Sequence, residues 1–543
     1  MRRAGLVAGC ALAIAAGAFR FTASPGPGLD PDAMSYLGAA RALAADGALR
    51  IPMAPWWSDS TTQPLAHFPP GYATVLAAPI ALGADARLAA RLVQGAAAGV
   101  STATVMLALW PAVGAWGAAL GALAMVLSPA YVLVHLSVLS EPLFLALITL
   151  ALWSFVGRPR AALMHGVIAA AATMVRYAGL SVAGAAALWA LRDTTAPWRD
   201  RLRRAALAVA PSLLALAAWS LTRARAPGRA APIRHLALYG GWGPTLDEGA
   251  RSIAHLLAPS LDWQPVPWLA AGATLVAIAA LSWSTARTPD DITREPAVAP
   301  VAPVAPVAPV APVADPRHAE QHALLIASGL LALVYAGLVL AARALADPDI
   351  PFDFRLIVPL VPLAVVSTTV IATRAWRVIS RPSRVFGVLA LAVWSVAALT
   401  ADEIQVSYVL AEGGDFSESA WRDSPTLGWA RGQDPARALY TNWPCALWFH
   451  LDRRIRDVPR TLDAATMHAF VARLRATNGA VVAWTAQSPE TANTDSIVAR
   501  AGLVRVAAFA DGGIFVAPPL ALQATPPVIT TPHVPVAPAA APR

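Results

Sequence analysis

Long apolar runs are what most restrict how this chain can fold. They recur near residues 4–22, 88–110, 115–135, 139–156, 161–175, 177–191, 204–222, 265–284, 321–343, 355–373 and 384–401. A helix needs roughly 20 mostly apolar residues to cross a bilayer, so the pattern predicts a polytopic helix bundle of about eleven spans. The fifth and sixth runs are short, and 72–83 is shorter still and predicts a half-buried helix. Composition agrees, since 13% of the 543 residues are charged, against about 25% in soluble domains. The formal charge is +9 and the sequence holds no Lys, so every strong positive charge is an arginine. Loop arginines that set membrane orientation explain this excess, and no nucleic-acid partner is implied. The two cysteines, Cys10 and Cys445, do not make a disulfide framework. The stretch 6-LVAGC-10 looks like a lipoprotein cleavage box, but apolar residues continue through 11–19, which favours an uncleaved first helix.

Orientation follows from the arginines. Arg2 and Arg3 precede the first run and put the N-terminus inside. Alternation then puts the arginine-dense segments 157–160, 192–204 and 374–384 inside as well, and the C-terminal region outside. A Val-Ala-Pro repeat within the linker 286–320 suits a polyproline II rod on the inner side. Residues 402–520 change character. Runs at 438–442, 480–486, 503–510 and 513–518 predict strands, and 461–479 predicts a helix ending at Gly479. The expected organisation is therefore a mainly α membrane domain over 1–401 and a small extracytoplasmic α/β domain over 402–520. A disordered Pro/Ala tail is expected over 521–543.

With orientation set, the polar residues collect on the outer face. The loop after the first span carries Asp30, Asp32 and 67-HFPPGY-72; later outer turns carry Glu141, 176-RYAG-179 and 347-DPDIPFDFR-355. The middles of the spans hold few ionisable groups, unlike an ion-coupled transporter. Asp30-Pro31 reads as a helix start, with Asp30 as cap and Pro31 at the first helical position. Asp32 is not needed for that start, and it lies one helical turn before Tyr36 on the same face. Glu141 is either a first-turn acid or a site residue. Arg176 and Arg355 are either interface anchors that snorkel or, together, a phosphate clamp.

The ordered motifs carry a likeness. The pattern in 32-DAMSYLGAARALAADG-47, then 67-HFPPGY-72, 140-SEPLF-144, 176-RYAG-179 and 355-RLIVPLVP-362 resembles the GT-C superfamily of integral membrane glycosyltransferases. The nearest branch is the bacterial one related to the protein O-mannosyltransferase and aminoarabinose transferase families. Leu356 stands where that family usually has an aromatic. The resemblance implies transfer of a sugar from a polyprenyl-phosphate donor to a lipid, glycan or protein acceptor at the outer face of a bacterial inner membrane. It implies Asp32 as general base and Arg176 and Arg355 on the donor phosphate. Asp30, Tyr36, His67, Tyr72 and Tyr177 would line the pocket, with Glu141 positioning acceptor or metal. A divalent metal serves some members of the superfamily and not others, so no cofactor is assigned. Two other classes stay open: a transporter or flippase for a lipid-linked precursor, and a non-catalytic membrane scaffold.

Overall fold

A computed structural model describes residues 2–60, 62–225, 237–257, 316–347, 350–485 and 491–519. The expected span 265–284, most of the linker 286–320 and the tail 521–543 lie outside these residues. The chain forms two compact units. One comprises the described residues within 1–52 and 62–422, the other those within 53–61 and 423–519.

The larger unit is helical. It opens with α1 (Arg2–Phe21) and α2 (Pro31–Asp46), followed by the short strand β1 (Arg50–Ile51). After β2 (Met53–Ala54), which belongs to the smaller unit, it resumes with β3 (Gln63–Pro64) and α3 (Gly71–Ala81). Next come α4 (Ala86–Val126), α5 (Pro129–Leu136), α6 (Glu141–Gly157), α7 (Ala162–Val175), α8 (Leu180–Leu191), α9 (Trp198–Arg225) and α10 (Trp242–Leu257). Beyond residue 315 follow α11 (Pro316–Leu345), the single turn α12 (Phe354–Ile357), α13 (Val361–Val378), α14 (Arg381–Glu412) and α15 (Ser419–Arg422). Among the described residues, six helical segments are long and apolar enough to cross a membrane, and four shorter apolar helices accompany them. The protein is a multi-pass membrane protein.

Two boundaries depart from expectation. The runs 88–110 and 115–135 are not two clean spans. Residues 86–126 are helical on both sides of an interruption at Gly114, whose φ of 79° suits a residue without a Cβ. The second run then breaks again at Ser128, extended at ψ 123°, because the ring of Pro129 disfavours helical geometry in the residue before it. At the far end, α14 runs unbroken to Glu412, so residues 402–412 are helix rather than the start of an α/β fold.

The smaller unit is α/β. It contains α16 (Pro425–Arg431), β4 (Leu439–Thr441), α17 (Pro444–Leu451), β5 (Ile455–Asp457), α18 (Ala464–Ala476), β6 (Ala480–Trp484), α19 (Thr491–Arg500), β7 (Val504–Ala508) and β8 (Gly512–Val516). The sheet order is β2-β5-β4-β6-β8-β7; the first four strands are parallel and the last two antiparallel. All five residues of β6 are buried, as a central strand covered on both faces requires. Tyr440, Phe470, Leu474, Val481 and Ile497 form its core. The strands at 439–441, 480–484, 504–508 and 512–516 and the helix at 464–476 fall where the sequence put them. Strands β5 and β2 were not foreseen; β2 contributes two residues, too few to show any alternation.

Candidate active site

The acid after the first span begins α2 as a cap. Asp30 is extended (φ −82°, ψ 174°), its Oδ1 accepts from the Ala33 N–H at 2.7 Å, and Pro31 follows at the first helical position. Gly47 closes the helix in the left-handed conformation at φ 74°. The strand leading into Asp30 is held on both sides. Gly28 N–H donates to Leu136 O at 2.9 Å, and Phe416 N–H donates to Leu29 O at 3.1 Å.

Arg355 sits opposite, on α12. Asp353 caps this single turn, accepting from the Arg355 and Leu356 N–H groups at 3.0 and 3.2 Å. The guanidinium then meets three carboxylates. Nε donates to Glu141 Oε1 at 2.8 Å, Nη1 to Asp30 Oδ2 at 3.2 Å and Nη2 to Asp32 Oδ2 at 2.7 Å. Glu141 is fully buried at the start of α6 and also takes Arg176, with Nη1 to Oε1 at 2.6 Å. Arg176 donates further to Ser140 Oγ at 3.0 Å, and the Tyr36 hydroxyl donates to the same oxygen at 3.2 Å. A carboxylate as buried as Glu141 requires paired charge, and two arginines supply it.

Two glycines of the sequence motifs let Arg176 reach this position. A Cβ on Gly71 would lie 2.5 Å from Met174 O, and one on Gly179 would lie 2.1 Å from the Ala172 carbonyl carbon. Backbones approach this closely only where no side chain intervenes.

Of the residues singled out from sequence, Asp30, Asp32, Glu141, Arg176 and Arg355 form one hydrogen-bonded cluster, joined by Tyr36 through Ser140. Tyr72 packs edge-on against Tyr36 at 4.9 Å, and its buried hydroxyl has no hydrogen-bond partner among the described residues. His67 stands further out: its ring meets Phe68 at 4.6 Å, and Phe68 in turn meets Tyr36 at 4.7 Å. Tyr177 turns away. Arg176 is extended and a 3-10 turn starts at Tyr177, so neighbouring side chains diverge; the Tyr177 hydroxyl accepts from Trp219 Nε1 and Arg223 Nη1 at 3.1 and 3.3 Å. The sequence reading did not single out Ser140 or Asp353. Ser140 stands just before Glu141-Pro142, a helix-start pattern that could have marked it.

Asp30 and Asp32 are not equivalent. Burial and the neighbouring Asp32 charge push the Asp30 carboxyl up to about 7, against the opposing pull of Arg355. Both Asp30 oxygens are engaged, one in the cap and one on Arg355. Asp32 is 30% exposed and engages Arg355 through Oδ2 alone; its Oδ1 makes no hydrogen bond among the described residues. Burial also pushes the Tyr36 hydroxyl above its ordinary range, so it acts as a neutral donor. Among the described residues no group of three or more His, Cys, Asp or Glu side chains could hold a metal ion.

No family model matches the chain, and no curated protein matches it. Solved structures do. ArnT from Cupriavidus metallidurans in the apo state matches with a TM-score of 0.46 at 14% identity, covering 95% of this chain and 98% of that one. The Archaeoglobus fulgidus oligosaccharyltransferase matches in its apo form with a TM-score of 0.48 at 11% identity, covering 91% of this chain and 71% of that one. The archaeal oligosaccharyltransferase AglB from the same organism, in complex with an inhibitory peptide and a dolichol-phosphate, matches at the same score, identity and coverage. Likeness this distant carries no argument about chemistry. These matched proteins fall in the superfamily that the sequence motifs resemble.

Proposed function

We propose that the protein is a membrane glycosyltransferase that moves a sugar from a polyprenyl-phosphate donor to a lipid, glycan or protein acceptor. One observation carries this reading: Arg355 is bonded at once to Asp30, Asp32 and Glu141, beside a second arginine on Glu141. The reaction needs two things, a base for the acceptor hydroxyl and positive charge for a departing phosphate. The cluster holds candidates for both within one hydrogen-bonded group.

Asp32 is the base in this proposal, because one of its oxygens is uncommitted and its side chain is reachable. The acceptor oxygen attacks the anomeric carbon as its proton passes to Asp32. The bond from that carbon to the phosphate oxygen breaks, and polyprenyl phosphate leaves with the electron pair. Arg355 and Arg176 then stabilise the phosphate. A phosphate reaching Arg355 would compete for the N–H donors now given to Asp30 and Asp32. Donor binding thus frees the second Asp32 oxygen beside the one already open to the acceptor. Tyr36 holds Ser140 and the arginines in register, Tyr72 has a hydroxyl to offer a sugar, and His67 borders the pocket at greater distance. Hexosyl transfer fits this scheme, as does an N-terminus on the cytoplasmic side of a bacterial inner membrane. The cluster and the α/β unit would then face the outer side.

A panel of polyprenyl-phosphate sugars offered to the protein in nanodiscs tests the reading. Release of free polyprenyl phosphate from one donor, lost in Asp32→Asn, is the expected result. Full turnover by Asp32→Asn would remove Asp32 from its role. Donor binding that ignores changes at Arg176 and Arg355 would favour a flippase or scaffold instead.

A further inference from the structure

A second site lies in a groove between α1, α4, α5 and α14, apart from the acid–arginine cluster. The groove has a volume of about 570 Å³, and its walls are apolar, with Ile14, Phe21, Leu127 and Leu399 among them. Two polar side chains interrupt these walls. His135 is 4% exposed and Asp402 8% exposed.

The hydrogen bonding of each is incomplete. His135 Nδ1 lies 2.7 Å from Tyr131 O. A carbonyl only accepts, so Nδ1 carries the proton, and in an uncharged ring Nε2 is left as an acceptor. Apolar surroundings favour that uncharged ring. Nε2 has no partner among the described residues, and neither has Asp402 Oδ1. A buried acceptor left unpaired costs about 1–3 kcal/mol. Both side chains belong to the lining of one groove, which points to a ligand that brings donors once each acceptor turns toward it.

The charge of the lining narrows the class. Glu403 adds a second carboxylate, and no arginine is among the lining residues. The complement is an apolar chain ending in a cation. A quaternary ammonium has the charge but no N–H; a primary ammonium has both. We infer that the groove holds a membrane lipid with a primary-amine head, whose N–H groups supply the donors that His135 and Asp402 lack. Leu136, in the groove wall, accepts the Gly28 N–H at 2.9 Å, so the occupied groove abuts the backbone that carries Asp30.

Native mass spectrometry of the full-length protein, released from nanodiscs of equal phosphatidylethanolamine and phosphatidylcholine, reads this directly. The two lipids differ in the N–H donors. Retention of phosphatidylethanolamine roughly tenfold over phosphatidylcholine is expected. Octadecylamine should displace it and octadecanol should not. Asp402→Asn and His135→Phe should each lower the preference several-fold. Equal retention of the two phospholipids overturns the inference, and that comparison on the unaltered protein needs no variant to fold. Displacement by octadecanol, or an unchanged preference in a folded Asp402→Asn, overturns it as well. The measurement is independent of sugar transfer, so either proposal can fail alone.

Discussion

Two carboxylates at opposite ends of the same helices each bind two arginines. Glu141 opens α6 and pairs with Arg176 and Arg355. Asp193 follows α8 and pairs with Arg204 at 2.9 Å and Arg160 at 3.6 Å. Helix α6, of 17 residues, rises about 25 Å between the two ends. The ion count is alike and the surroundings are not. Glu141 is fully buried, whereas Asp193 is 24% and Arg160 71% exposed. An exposed pair gains little over hydration. A buried one is costly to break and holds its geometry. The comparison separates an exposed anchor that gathers two loops from a buried cluster of fixed geometry, using the same chemical groups.

The largest contrast is expected in activity. Asp32→Asn should lower transfer by about 10²–10⁴-fold with little change in melting temperature, whereas Asp193→Asn should leave transfer intact. Next is stability. Glu141→Gln takes the carboxylate from Arg176 in a largely buried site, while Arg355 keeps Asp30 and Asp32, and should cost about 3–5 kcal/mol, read as a fall in thermal midpoint in detergent. Gly179→Ala should follow at about 1–3 kcal/mol through overpacking against the Ala172 backbone, with transfer falling as Arg176 shifts.

A pH series sharpens the comparison further. The Asp30 carboxyl is raised in the folded protein to about 7 from an ordinary value of 3.8. The folded state therefore holds this proton more tightly than the unfolded state. The contribution is fully present below pH 3.8 and is lost as pH rises through about 7. Thermal midpoints of Asp30→Asn against pH should lack that decline, and a curve parallel to the unaltered protein would refute the assignment. The smallest effect belongs to Asp193→Asn, a slight fall in thermal midpoint that weakens further at high salt.

Much of this was legible along the chain. Asp30-Pro31 announced a capped helix, and the cap is there. Alternating arginine-rich loops put Asp30, Asp32, Glu141, Arg176 and Arg355 on one side, and they meet. The sequence did not disclose that Arg355 is already bonded to three carboxylates. Such contacts join residues up to 325 positions apart, and periodicity within one helix says nothing of what packs against it. Tyr177 bonds Trp219 and Arg223 instead of the cluster for a local reason: adjacent residues at a helix break do not share a face. Strand β2 was invisible because two residues, Met53 and Ala54, pair with Ile455 and Arg456, far along the chain.

Titration with polyprenyl phosphate tests the central claim most directly, comparing the unaltered protein, Arg355→Gln and Asp193→Asn in nanodiscs. If Arg355 exchanges its carboxylates for the donor phosphate, Arg355→Gln binds at least roughly tenfold more weakly while Asp193→Asn binds as the unaltered protein does. Equal affinity in all three would contradict the account and leave the cluster a structural ion-pair network.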